Sequence, residues 1–409
     1  MVEPSLYAVV VLYLGIAVVY AVLQERNRRR HARASRPQPV GPPWPSVDVV
    51  LPCYNEDPLL LAACCASLEA QYYPGELRVF VVDDGSSNRD ALQRVYLRYR
   101  DCPRWTVRLL DGNNGKRRAQ DVAVRAGSGE LVVTVDSDTV FAPDGVRRLV
   151  GAFADPRVGA VTGDVRVINA AQTWLTRLID ERYRLLFEHE RAAQSQARAV
   201  LCCSGPFSAY RRAALEPVWS GYLTQTFMGR PSVAGDDLHL TNLVLSSGYD
   251  SLYEPSAKAL TNAPTTLRRY LRQQLRWNRS FYRELGPTLR ALRGRPRYLL
   301  LDVGARLLLP LLLALGIVLV GALAVMAMEP RGPGGPLPAV AGVDLVAAIV
   351  AASAGLLGSK TSKARFVLLY GLIYMGLLIP VRFWALSTLR QNRWGTRRLA
   401  RRTARLSVA

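Results

Sequence analysis

The chain has 409 residues, half of them hydrophobic, and a net charge of +21, enough for one large or two ordinary domains. Its positive excess lies in three blocks, net +5 over residues 24–36, +9 over 268–297 and +7 over 390–405, each beside or within an apolar or amphipathic segment. That pattern marks cytoplasmic flanks of membrane helices and excludes a basic face spread over a nucleic-acid-binding domain.

Residues 6–23, LYAVVVLYLGIAVVYAVL, are uncharged and just long enough to span a bilayer core. The positive charge follows the segment and no small-residue cleavage site does, so residues 1–25 read as a retained anchor with Met1 outside and Arg26 inside. Residues 26–46 read as a basic, Pro-rich linker, with the stiff PQPVGPPWP at 37–45.

From Val47 strands alternate with helices. Strands are predicted at 47–52, 77–86, 105–111 and 130–136, with helices near 57–70, 89–100 and 116–126. The alternation predicts a parallel sheet covered on both faces, with the domain running over 47–262. Its cysteines, Cys53, Cys64, Cys65, Cys102, Cys202 and Cys203, lack metal-ligand spacing with a histidine and fit a reduced compartment better than a disulfide framework.

The strand ends carry chemistry. The fourth strand, ELVVTVDSDT, ends in Asp136 and Asp138, which alternation places on one face past its carboxyl end. Two hard oxygen ligands there suit Mg²⁺ or Mn²⁺ carrying a substrate diphosphate; a pair of turn-forming aspartates is the plainer alternative. The first strand is followed by Tyr54-Asn55-Glu56, the second by Asp83-Asp84-Gly85-Ser86, the third by Asn113-Asn114-Gly115-Lys116 at a helix start. A helix N-terminus with a lysine suits phosphate. Four such ends converging describe a nucleotide-diphosphate pocket, and neither a P-loop nor a dinucleotide fingerprint is present.

Further on, Ser204-Gly205-Pro206 forms a tight turn before a short strand, and Gly235-Asp236-Asp237 opens a helix. Residues 172–196 are amphipathic. In the basic amphipathic helix over 267–283, Gln273, Arg276 and Trp277 share a face that suits a sugar diphosphate beside a stacked sugar ring; a membrane-interface helix with snorkelling arginines is the alternative, and both can hold. Residues 263–298 form this interfacial region. Residues 299–389 are mostly apolar: 307–328 reads as a span, 339–358 as a return, and 366–381, short, containing Pro380 and followed by Arg382, as an interfacial or re-entrant piece. That topology leaves 390–409, with Trp394 and Arg397, in the cytoplasm.

In order, Asp83-Asp84, Asp136-x-Asp138, Gly235-Asp236-Asp237 and Gln273-x-x-Arg276-Trp277 resemble the D, DxD, D, QxxRW series of processive family-2 glycosyltransferases. SGPFSAYRR and WGTR are similar to hyaluronan synthases and to chitin and nodulation chitin-oligosaccharide synthases, while the GDD form and RWNRSFYRE lean towards the hyaluronan synthases. The resemblance covers roughly residues 47–398. It implies a GT-A-like fold fused to membrane helices, a multi-pass protein of the plasma (inner) membrane with a cytoplasmic catalytic domain, and no obligate protein partner.

It also implies roles. Tyr54, Glu56, Asp83 and Asp84 would hold uridine; Lys116, Asp136 and Arg276 the diphosphate side; Asp138 with Asp136 the metal. Asp237 would be the base. Ser204, Gly205, Asp236, Gln273 and Trp277 would meet the acceptor, and Trp394 to Arg397 would gate the bound UDP. The implied activity is processive, inverting polymerisation of UDP-GlcNAc with UDP-GlcUA into an extruded β-linked polysaccharide, as in hyaluronan synthases. A chitin or chitin-oligosaccharide synthase using UDP-GlcNAc alone, or a non-processive transferase acting on a membrane lipid, stays open.

Overall fold

The structure is a computed structural model that describes residues 2–34, 43–328 and 364–391. Its centre is an eight-stranded mixed sheet built from β1 (Val47–Cys53), β2 (Leu77–Asp83), β3 (Trp105–Leu109), β4 (Leu131–Val135), β5 (Val140–Phe141), β6 (Val158–Val167), β7 (Phe207–Arg211) and, after the short hairpin of β8 (Thr226–Phe227) and β9 (Arg230–Pro231), β10 (Asp250–Thr261). The order is β3-β2-β1-β4-β7-β6-β10-β5. The β3-β2-β1-β4 half is parallel, as predicted. The sheet as a whole is not, because β7 inserts antiparallel to both β4 and β6, and β5 runs antiparallel to β10.

The order reverses direction at β1 and β4, and a doubly wound sheet opens a crevice at such a point. β1 and β4 are buried along their whole length, which is why they read as continuous apolar runs. One face packs the helices Pro58–Glu69 and Arg89–Arg100 through Leu61, Leu68, Leu92 and Tyr96. The first of these starts where it does because Asp57 accepts the Leu59 N–H at 2.8 Å and Pro58 follows at the first helical position. The other face packs Ala119 and Ala123 of the helix Lys116–Ala126, together with Trp219, Tyr222, Leu240 and Val244.

Three described helices are long and apolar enough to cross a membrane: Pro4–Ala34, Arg297–Ala322 and Leu369–Ser387. They share a cluster of Leu6, Val10, Tyr13, Leu313 and Ile379. One expectation changes here. The first helix does not yield to a linker at residue 26 but continues to Ala34, its basic stretch braced by Glu25 pairing with Arg28 and Arg29 at 2.6 Å each. The apolar piece containing Pro380 is helical from Ala364 to Ser387, with a π-turn at Tyr374–Leu378 just before the proline that accommodates its missing N–H. The predicted return at 339–358 lies outside the described residues.

Asp48 ties the parallel half together. It is fully buried on β1, accepts the Gly129 N–H at 2.6 Å, and pairs with Arg212 at 2.7 Å and Arg78 at 2.9 Å. A Cβ at Gly127 would stand 2.3 Å from its Oδ2. Removing one partner of a buried ion pair costs about 3–5 kcal/mol, so Asp48→Ala should lower the thermal unfolding midpoint of the detergent-solubilised protein by many degrees. An unchanged midpoint would show that the arginines find other partners.

Candidate active site

A cavity of about 280 Å³ opens at the carboxyl edge of β1, β2 and β4, where the strand order reverses. Tyr54, Glu56, Asp84, Lys116, Asp136, Asp138, Asp236 and Arg276 all line it. These come from the ends of three strands and the starts or faces of three helices, and only the fold brings them together.

Lys116 is the hub. Its ammonium lies 2.6 Å from Asp136 Oδ1 and 3.3 Å from Asp236 Oδ2. Burial alone would drive the proton off, but Asp136 and Asp236 outweigh it and hold the lysine well above its ordinary range. Asp84 accepts the N–H groups of Asn114 and Gly115 at 2.8 and 2.7 Å, at the start of the Lys116 helix. Gly115 there has φ +95°, a conformation a side chain would resist. A Cβ on Gly205 would touch the Lys116 ammonium at 3.2 Å, so the turn before β7 packs directly on this hub.

Among the described residues no cation pairs with Asp138. Burial first, then the Asp136 and Glu56 charges, push its carboxyl up to about 7, and Thr261 of β10 donates to it at 3.2 Å. A half-buried carboxylate crowded by others fits a hard divalent cation. Among the described residues no three His, Cys, Asp or Glu side chains converge on one point. Mg²⁺ and Mn²⁺ are often held by one or two carboxylates plus substrate phosphates, and this site fits that arrangement.

The two aspartates of the helix Asp236–Ser246 diverge in character. Burial penalises the charge of Asp236, yet Lys116 and Arg117 keep its carboxyl below the usual range. Asp237 is pushed the other way, by burial and then by the Asp236 charge. Environments that drive two neighbouring carboxyls apart separate a charge-pairing group from a proton acceptor. Burial first, then the Asp237 charge, raises the pKa of the Cys202 thiol well above the ordinary value, so it is no nucleophile.

One expected placement is corrected. Asp83 does not reach the cavity: it is fully buried, accepting the Ser86 N–H at 2.8 Å, Tyr96 at 2.6 Å and Arg89 at 3.1 Å, and so it shapes the turn behind Asp84. Asp236 lines the cavity with its Oδ2 3.3 Å from the Lys116 ammonium. Gln273 Oε1 is buried without a hydrogen-bond partner among the described residues, and Trp277 is 38% exposed and outside the cavity lining. The Ser204 N–H donates to Thr162 at 3.2 Å. Trp394 and Arg397 lie outside the described residues; the chain leading to them is held by Arg283, which donates to the carbonyls of Leu389 and Gln391 at 2.7 and 2.8 Å, while Arg279 donates to Thr388. Sequence reasoning missed Thr261, because β10 was not read as a strand, and Ser137, which donates to Glu56 at 2.6 Å.

A GT-A-like sheet with paired carboxylates and a lysine at its switch point is the site of a nucleotide-sugar transferase. Residues 48–219 match Glycosyl transferase family 2. An N-acetylglucosaminyltransferase of Sinorhizobium fredii is 45% identical over 396 residues, covering 96% of this chain and 93% of the relative. That of Rhizobium sp. (strain N33) is 43% identical over 401 residues, covering 95% and 86%. The chain therefore belongs to glycosyltransferase family 2, and it is a glycosyltransferase. The solved structure of mannosyltransferase PcManGT from Pyrobaculum calidifontis, in complex with GDP-Man and Mn²⁺, superposes with a TM-score of 0.62 at 23% identity, over 92% of this chain and 99% of that one, which shows the shared fold. These relatives give no support to hyaluronan synthesis or to use of UDP-GlcUA and favour the GlcNAc-only alternative.

Protonation of Asp138 competes with a cation. With a nucleoside diphosphate present, Mn²⁺ affinity should weaken about tenfold between pH 8 and pH 6, as expected for one proton released near 7. Mn²⁺ titration followed by EPR reads this directly. Asp138→Asn should bind weakly and lose most of that pH dependence; equal slopes in both proteins would remove Asp138 from the ligand set.

Proposed function

We propose that this protein is a membrane-embedded, inverting glycosyltransferase that joins GlcNAc units from UDP-GlcNAc into a β-linked chitin oligosaccharide. The near-full-length similarity to proteins named for N-acetylglucosamine transfer carries the reading, and the cavity chemistry supports it. Tyr54, Glu56 and Asp84 hold the uridine, with Asp83 bracing the turn behind. Lys116 and Arg276 face the diphosphate. Asp138 and Asp136 would hold Mg²⁺ or Mn²⁺, which would neutralise charge on the departing UDP.

Asp237 acts as the base for the acceptor hydroxyl. Its raised proton affinity suits that task better than the lysine-paired Asp236 does. Direct displacement on an α-linked donor inverts the anomeric carbon and needs no covalent intermediate. Gln273, Ser204, Gly205 and Trp277 form the acceptor side, and Trp394 with Arg397 closes over UDP. The apolar helices anchor the protein in the inner membrane with the catalytic domain in the cytoplasm.

Purified protein given UDP-[¹⁴C]GlcNAc and Mg²⁺ or Mn²⁺ should make chitinase-sensitive oligosaccharides whether or not UDP-GlcUA is added, and EDTA should stop it. A product that forms only with both donors would restore the hyaluronan reading, and a chloroform-soluble monoglycosyl lipid as sole product would replace polymerisation with single transfer. In the same assay Asp237→Asn should lower turnover on the order of 100-fold with little change in UDP affinity. Near-normal turnover there, with an inactive Asp236→Asn, would move the base one residue back.

A further inference from the structure

Glu284 closes the RWNRSFYRE stretch that begins with Arg276 and Trp277, yet it lies off the cavity and is only 2% exposed. A buried carboxylate accepts hydrogen bonds and donates none, so its neighbours must be donors. Three surround it: Gln225 Nε2 on Oε1, Asn242 Nδ2 on Oε2 at 2.9 Å, and His239 Nδ1, 3.1 Å from Oε2. His239 therefore carries its proton on Nδ1.

Those partners lead back to the reacting groups from two directions. His239 and Asn242 stand on the helix that begins with Asp236 and Asp237. Gln225 accepts from Arg117, which also donates to the Tyr222 carbonyl at 2.8 Å and stacks 4.9 Å over the Tyr222 ring. Arg117 adjoins Lys116. Along its own helix, Glu284 continues a four-residue series from Arg276 through Ser280 to Thr288, which is one face. That face lies along the base helix: Ser280 packs on Gly235, where a Cβ would stand 2.6 Å away, and Thr288 accepts from Asn242 at 3.0 Å.

We propose that Glu284 is a positioning residue for transfer: one buried carboxylate sets the register between the helix carrying the base, the helix carrying Arg276, and the start of the Lys116 helix. The Gly235–Ser280 contact fixes how closely the two long helices approach, and Glu284 fixes how far one can slide along the other. The inference rests on the proposed base role of Asp237, since the group being positioned is the one that must meet the acceptor hydroxyl.

Glu284→Gln replaces an acceptor oxygen by a donor among three donors. Misplacement by about 1 Å costs up to about 100-fold, so kcat for UDP release should fall roughly 10–100-fold while KM for the donor stays within about twofold. The charge-transposed double variant Glu284→Gln with Asn242→Asp returns one carboxylate to the same cluster and should recover most of kcat. It also answers the case in which the single variant does not fold. Wild-type kcat in Glu284→Gln would overturn the proposal, and so would a loss that tracks the folded fraction or a folded double variant without recovery. Failure of the wild type with UDP-GlcNAc would overturn the substrate reading alone, and the variant-to-wild-type ratio is then read with the nucleotide sugar that it does turn over.

Discussion

The site depends on one ammonium. Asp136 arrives on the end of β4 and Asp236 on the start of a helix a hundred residues later, and two carboxylates facing one cavity repel unless a cation lies between them. Lys116 supplies it at 2.6 and 3.3 Å. Its own place is set by Gly115 and by Asp84, which captures the two amides preceding it. A change of charge at any of these three positions would alter the protonation of the others. The same arrangement leaves Asp138 and Asp237 outside the lysine's ion pairs: two of the four aspartates pair with Lys116, while burial and neighbouring carboxylates raise the proton affinity of the other two.

Much of this was legible in the chain. Asp136-x-Asp138 past an apolar run, Lys116 after Asn114-Gly115, and Asp84 after β2 could be placed at one edge because strands of a doubly wound sheet put their carboxyl ends together. What escaped was non-local. β6 carries Gly159 and Gly163, which weaken a strand signal, yet Gly163 is required because a Cβ there would lie 2.5 Å from Phe207. β10 holds Pro255 and charged residues and reads as a loop, so Thr261 beside Asp138 was hidden. Asp83 and Asp84 look equivalent in sequence. Only the side to which the turn directs each carboxylate separates a buried brace from a cavity wall.

The apolar helices meet the domain through polar contacts as well as apolar ones. Asp302, fully buried near the start of its helix, accepts from Tyr20 at 2.7 Å and Gln194 at 2.8 Å and pairs with Arg306, while Arg306 reaches Glu190 at 2.7 Å. Burial opposes the Glu190 charge, but Arg182 and Arg306 hold its carboxyl down at about 2. Such a junction is directional where hydrophobic packing is not, and it fixes the rotation of the Pro4–Ala34 and Arg297–Ala322 helices about the catalytic domain.

The grip of Arg283 on the chain after Ser387 has a different kind of consequence. Its guanidinium takes the carbonyls of Leu389 and Gln391, groups that every amino acid possesses. The Leu389 side chain can therefore be exchanged without loosening the tether, whereas Thr388, held through its hydroxyl by Arg279, and Gln391, whose Oε1 accepts from Arg279 at 3.1 Å, cannot. Genetic drift along this exit would be read unevenly: silent at Leu389, and at Thr388 and Gln391 felt by the helix that carries Arg276.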